Sequence, residues 1–218
     1  MISEKAVLGF PDIKIIRTRL SDPNFDMVDV FNVFDTIPES VSYGRGTIIY
    51  PDCIIYPNVK IGDDCTLFHH VIVRENVTIG NRVKIGFNSA IEKDAEISDD
   101  VRIMDYTKIG DFCKVGPRSF IGNNVTFSCD KYPPSNIVSP VIIGADVHIA
   151  PGCILGPGVK IGNNAFVGLG SVVLKDLAGG FVYFGHPVKE PYCTIGEYRK
   201  KRQNFLDDLP LDDVIVTA

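Results

Sequence analysis

Residues 79–109 read IGNRVKIGFNSAIEKDAEISDDVRIMDYTKI, and isoleucine stands at 79, 85, 91, 97, 103 and 109. An interval of six fits neither the 3.6-residue turn of a helix nor the two-residue alternation of an ordinary strand. Extended outward, the column begins at Ile49, passes Ile55, Ile61, Leu67 and Val73, and continues through Val115 and Ile121 to Phe127. It resumes in a shifted register at Ile143, Ile149, Leu155, Ile161, Val167 and Val173. Such a period marks a parallel β-helix, in which short strands alternate with corners. The fold class is therefore all-β: a hexapeptide-repeat solenoid with an N-terminal cap and a short C-terminal tail.

The other positions of the repeat agree. Four residues after each apolar site comes a second inward column of small or β-branched residues: Val83, Ser89, Ala95, Val101, Thr107, Cys113, Ser119, Val125. Glycine recurs just after the apolar site, as at Gly62, Gly80, Gly86 and Gly110, and pairs such as Asp99-Asp100 and Asn123-Asn124 supply corners. Asp and Asn tolerate the left-handed backbone that tight corners need. Three hexapeptides close a triangular coil of eighteen residues, so residues eighteen apart stack about 4.8 Å apart.

The repeat divides the 218 residues into a cap (1–42), a prism (43–189) and a tail (190–218), with a short helix predicted over Glu197 to Leu206. Asp22-Pro23-Asn24 and Ile37-Pro38-Glu39 punctuate the cap. A net charge of −5 gives no nucleic-acid footprint. No leader and no membrane-spanning apolar stretch is visible, so the expectation is a soluble cytoplasmic protein. Of six cysteines, Cys53, Cys65, Cys113 and Cys153 occupy the small inward position and read as core thiols. Only Cys129 and Cys193 fall outside it, and no C-x-x-C pair suggests zinc or a disulfide.

Two features carry chemistry. Between Phe127 and Ile143 the register slips by four, and the stretch SCDKYPPSN at about 128–136 reads as a loop leaving the prism, with IVSPV (137–141) back in register. Loops on rigid scaffolds are frequent carriers of function. The second feature comes from counting by eighteen, which places Asn88 and Tyr106 over His70, and Phe87 and Asp105 over His69. One corner thus gathers a base candidate (His70, then His69) and hydrogen-bonding side chains for a substrate (Asn88, Asp105, Tyr106). The alternative is a polar corner facing solvent. Glu92 points outward one coil above Arg74, as a substrate contact or a surface ion pair.

The stretch PGCILGPGVKIGNNAFVGLGSVVLKDLAGGFVYFGHPVK (151–189) resembles the C-terminal half of the hexapeptide acyltransferases, whose solenoid is a left-handed parallel β-helix. FSCDKYPPS (127–135) resembles the FTNDKYPRS loop of a branch that acylates amino sugars carried on a nucleotide diphosphate, as in cell-surface polysaccharide precursors. The chain departs from the pattern at Cys129, where that branch has Asn, and at His148, where the family has Trp. Its loop lacks the histidine of maltose- and galactoside-type acetyltransferases.

The resemblance implies an acyltransferase using acetyl-CoA or another acyl-CoA as co-substrate, with no metal. It implies a homotrimer with a cleft between adjacent prisms, no nucleic-acid partner and no membrane insertion. Asp130, followed by Lys131 and Tyr132, would meet the sugar; Gly168, Gly170, Ser171, Lys175, Pro187 and Lys189 would meet the CoA. Three alternatives stand beside N-acylation. One is O-acetylation of a sugar or small alcohol. Another is a β-helix carbonic anhydrase, whose zinc needs three imidazoles that the spacing of the four histidines does not supply. The third is a non-catalytic scaffold, which would have no use for the GHPVK tail.

Overall fold

In the structure, a computed structural model, residues 2, 6–8, 41–135 and 137–207 are described. Most of the expected cap, Asn136 and residues 208–218 lie outside them. From Ile48–Ile49 to Val172–Val173, strands of two residues recur every six positions outside the inserted loop, each with its second side chain buried. Strands one coil apart pair parallel and in register: Ile72-Val73 with Ala90-Ile91, and Ala90-Ile91 with Lys108-Ile109. The described strands form three sheets of eight, seven and nine, the faces of a triangular prism. Its core is the predicted column, from Ile49 and Ile55 to Val167 and Val173, all nearly inaccessible. The four predicted core thiols, Cys53, Cys65, Cys113 and Cys153, are fully buried.

The first face carries strands Thr66–Leu67, Lys84–Ile85 and Arg102–Ile103; the second, Ile72–Val73, Ala90–Ile91 and Lys108–Ile109; the third, Thr78–Ile79, Glu96–Ile97 and Lys114–Val115. We call the edge between the first and second faces the histidine corner (69–70, 87–88, 105–106). The loop corner (75–76, 93–94, 111–112) joins the second and third faces. The charged corner (81–82, 99–100, 117–118) joins the third and first.

The second residue of nearly every corner has positive φ, including His70 (61°), Arg82 (57°), Tyr106 (58°) and Phe112 (58°). That conformation is uncommon outside Gly, Asn and Asp. Because it recurs at all three corners, it belongs to the scaffold and is no mark of a site. A Cβ on Gly86 would lie 2.6 Å from the backbone nitrogen of Asp105; glycine there lets the Asp105 carboxylate reach down to the Phe87 N–H (2.9 Å). Asp63, Asp99 and Asn163 accept the N–H one coil below in the same way. From inside, polar residues of the small column clip successive coils together. The Ser89 and Thr107 hydroxyls donate to the carbonyls of Met104 and Gly122, and the Cys153 thiol to that of Gly168.

The ends extend the prism beyond the repeat. Val7-Leu8 pairs with Ile54-Ile55, Ile2 bridges Ile49, and Ser42-Tyr43 pairs with Lys60-Ile61, so ladder pairing crosses the 42/43 boundary. At the other end Phe181–Gly185 and Val188–Thr194 form an antiparallel hairpin across the 189/190 boundary. Helix α1 follows at Ile195–Asp207, where a helix was expected. Thr194 and Glu197 cap it reciprocally: the Glu197 carboxylate accepts from the Thr194 N–H (2.8 Å), and the Thr194 hydroxyl accepts from the Glu197 N–H (3.3 Å).

Candidate functional site

The histidine corner carries the predicted column. Asn88 N–H donates to the His69 carbonyl (3.2 Å) and Tyr106 N–H to that of Phe87 (2.8 Å), so the backbone stacks as counted. The His70 ring is exposed, as are Asn88 and Tyr106, the last at 61 %. Among the described residues none of these three side chains has a hydrogen bond or ion pair. His69 is half-buried in an aromatic shelf: its ring lies parallel to Phe87 at 5.8 Å and tilted against Tyr50 at 5.0 Å, with Phe68 next to both. Asp105 caps Phe87 and also accepts from the Asn123 amide (3.4 Å). The tight corner uses it structurally, while His70, Asn88 and Tyr106 stay uncommitted.

Glu92 lies at the end of the second face, away from this column. Its carboxylate meets Lys108 Nζ at 3.1 Å and Arg74 at 3.5 Å, while Arg74 also grips the buried Glu75 (2.9 Å) and lies over the Tyr56 ring. Asp111 is near this network; burial and the Glu92 charge push its carboxyl above the ordinary range.

The inserted loop leaves at the loop corner. Lys114 pairs with Ile142, twenty-eight residues on, one coil of eighteen plus ten inserted residues. The Ser139 N–H donates to the Cys129 carbonyl (2.7 Å) and closes the base, so the loop runs from 129 to 139. This corrects the expected return at Ile137: Ile137 and Val138 are exposed at 68 % and 39 %, and burial resumes at Val141. The reason is the clip at Ser139, the first residue whose backbone rejoins a coil.

Asp130 organises the loop. Its Oδ1 accepts from the Tyr132 N–H (2.9 Å) and the Ser135 hydroxyl (2.5 Å), and its Oδ2 from the Ser135 N–H (2.8 Å). The Ser135 hydroxyl, helped by these amides, holds its carboxyl below the usual range. Lys131 and Tyr132 project outward, the ammonium 5.6 Å from the ring centroid. In a single chain the loop and His70 sit on opposite edges of the second face.

Gly168 and Gly170 continue the histidine corner, Gly170 five coils above His70, or about 24 Å. Gly170 has positive φ (63°) and open space where a side chain would be. Two expectations for this strip need correction. The space beside Gly168 is filled by the Phe184 ring, so this glycine makes room for the hairpin. The Ser171 hydroxyl faces the core, donating to the Gly168 carbonyl (2.7 Å) and accepting from the Gly185 N–H (3.3 Å), because 171 falls on the inward column. Lys175 faces Glu190 at 3.6 Å, and Pro187 and Lys189 are exposed on the hairpin.

Sequence reading missed three features. A trough of about 860 Å³ on the third face is lined by Asn76, Asp94, Glu96, Arg118 and their neighbours. A cavity of about 350 Å³ lies between helix α1 and the first face, walled by His148, Phe166, Tyr198, Arg199 and Arg202. There His148 stacks between Phe120 and Phe166, and burial, reinforced by Arg199, pushes its pKa down. The third is a contact of 3.6 Å between the sulfurs of Cys113 and Cys129. Neither cavity includes a predicted site residue, since a convex corner encloses nothing by itself.

Comparison with known proteins agrees with this architecture. The chain matches the bacterial transferase hexapeptide (six repeats) family over residues 60–93, 94–129 and 139–175. Over 77 residues it is 40% identical to a 2,3,4,5-tetrahydropyridine-2,6-dicarboxylate N-acetyltransferase of Clostridium perfringens, covering 35% of this chain and 31% of that one. The chain thus spans about a third of that relative's length. The fold is that of the Francisella novicida UDP-N-acetylglucosamine acyltransferase (TM-score 0.65, 18% identity, 93% of this chain and 73% of that chain). It is also that of the polySia-specific acetyltransferase NeuO (TM-score 0.53, 19% identity, 78% and 98%). Among the described residues no helix is long and apolar enough to cross a membrane.

Proposed function

We propose that the protein transfers an acyl group from acyl-CoA to the amine of a nucleotide-linked amino sugar. The carrying observation is the uncommitted column of His70, Asn88 and Tyr106 on a rigid corner of a hexapeptide-repeat prism. Supporting it are the relatives, which are named acetyltransferases and acyltransferases, and the DKYP loop. A convex corner needs a second wall. A homotrimer supplies one by setting the histidine corner of one prism against a neighbour, and cyclic symmetry satisfies three such edges at once. Light scattering tests this: a monomeric mass at micromolar concentration removes the wall.

In this reading the amine nitrogen attacks the thioester carbonyl, and the tetrahedral adduct expels the thiolate of CoA. The proton lost by nitrogen passes to the His70 imidazole and then to the leaving sulfur. Asn88 and Tyr106 hold the sugar, and the loop that Asp130 braces covers it. The acyl-CoA runs up the same edge towards Gly170, with Lys175 and Lys189 near its phosphates. The deciding assay crosses a panel of acyl-CoAs with nucleotide amino sugars and their hydroxy analogues and reads free thiol. Release with the amino sugars alone supports the reading; release with the hydroxy analogues alone makes the protein an O-acyltransferase.

A further inference from the structure

The Cys113 and Cys129 sulfurs lie 3.6 Å apart at the foot of the inserted loop. Of the other polar residues of the inward column, all but Ser171 donate to a backbone carbonyl of the next coil, as Cys65 does to Gly80 and Ser119 to Gly144. Cys113 breaks that rule: its sulfur accepts from the Val141 N–H (3.3 Å) and otherwise faces Cys129. Gly110 makes the approach possible, since any side chain there would strike the Cys129 sulfur. Cys113 is fully buried and Cys129 half-buried, so one thiol is open to a small reagent and the other waits behind it. We propose that Cys113 and Cys129 are a redox modification site, closing to an intramolecular disulfide when a peroxide is the oxidant.

Cys129 is the attacking thiol. It is the thiol a reagent reaches, and the hydrogen bond between the two sulfurs holds it below the usual thiol range, against the opposing effect of burial, while Cys113 is raised. The thiolate is the nucleophile. It attacks one peroxide oxygen and the O–O bond breaks; the departing hydroxide takes a proton and leaves as water, with Cys129 a sulfenic acid. The Cys113 sulfur then attacks the Cys129 sulfur, displacing hydroxide, which leaves as water with the Cys113 proton. Two thiols and one peroxide give one disulfide and two waters. The bond ties the coil below to the residue whose carbonyl closes the loop.

The test uses the full chain, hydrogen peroxide, alkylation of remaining thiols, and tryptic mapping by mass spectrometry. The expected product joins the peptides 109–114 and 119–131, is reversed by dithiothreitol, and forms well before half-buried Cys193 is oxidised. In Cys113→Ser the cross-link should vanish and dimedone should trap a sulfenic acid at Cys129. Serine fits the inward column, as at Ser89 and Ser119, and the parent protein alone already decides the first outcome. No cross-link in the parent, or oxidation of Cys193 as fast as Cys129, overturns the proposal. The readout is chemical and does not depend on the acyltransferase reading.

Discussion

Two edges of this prism use their polar residues in opposite ways. Along the charged corner they bind one another. The Arg82 guanidinium clasps Asp100 at 2.6 and 2.7 Å, Arg118 clasps Asp146 at 2.8 and 2.6 Å, and Arg199 of helix α1 donates to Asn164 at 2.9 Å. Along the histidine corner His70, Asn88 and Tyr106 face outward unpaired among the described residues, although their backbones stack as regularly. Both edges are clipped from inside and capped, the histidine corner by Ser89, Thr107 and Asp105 and the charged corner by Cys65, Ser119 and Asp99, so the difference lies in the outer side chains, which meet as guanidinium and carboxylate on one edge only. With the clips and caps joining its coils, the histidine corner does not need its outer side chains to hold them. A repeat fold can leave one edge free for chemistry while its neighbour is consumed by stacking.

The largest expected effect sharpens that contrast. His70→Ala should lower turnover by about 10²- to 10⁴-fold, the contribution of a general base. It should leave the melting temperature and the affinity for acyl-CoA unchanged. Steady-state kinetics beside calorimetry will show it; a lower melting temperature with full turnover would mean that the histidine corner is as structural as the charged one. Next comes the inner clip. Thr107→Val removes the donor to the Gly122 carbonyl (2.7 Å) and the acceptor for the Val125 N–H (3.3 Å), leaving both buried. The expected cost is about 1–3 kcal/mol, read from urea unfolding, and an unchanged midpoint would break the account of why the outer side chains are free.

A smaller effect concerns the loop. Asp130→Asn should raise the KM for the sugar about fivefold, the loss of one ordinary hydrogen bond, with kcat nearly constant, and should speed tryptic cleavage after Lys131. A fall in kcat alone would move Asp130 from loop brace to chemistry.

The smallest belongs to the charged corner. Guanidinium hydrogen bonds hold the Asp100 and Asp146 carboxyls below their ordinary value, so the folded state binds fewer protons than the unfolded one. Their stabilisation is present above about pH 4, the ordinary carboxylate value, and is lost as pH falls through the folded values. Melting scans in acid should show a slightly shallower decline for Arg118→Ala than for the parent. Parallel curves would mean that the exposed ladder contributes nothing, as many surface pairs do.

Much of this was legible in the chain because the six-residue period is a local rule. Each isoleucine of residues 79–109 faces the core for the same reason as the one before it, so counting by eighteen stacked His70, Asn88 and Tyr106 without any coordinates. Counting failed where the chain leaves the rule. The return of the loop at Ser139, the Phe184 ring over Gly168 and the pairing of Cys113 with Cys129 join residues at irregular separations. Ser171 shows the same limit in miniature: a motif match suggested a cofactor contact, while its column already dictated an inward hydroxyl.

The sequence by itself determined the triangular solenoid, its core, its corners and the place of the insertion, since a six-residue period fixes which side chain of each repeat faces the core. Only the tertiary structure decided which polar side chains are spent and which are free. That depends on hydrogen bonds between coils, on the clips at Ser89 and Thr107 and the guanidinium ladder at Arg82 and Arg118. Such bonds form between residues that a periodic pattern makes neighbours but does not make partners.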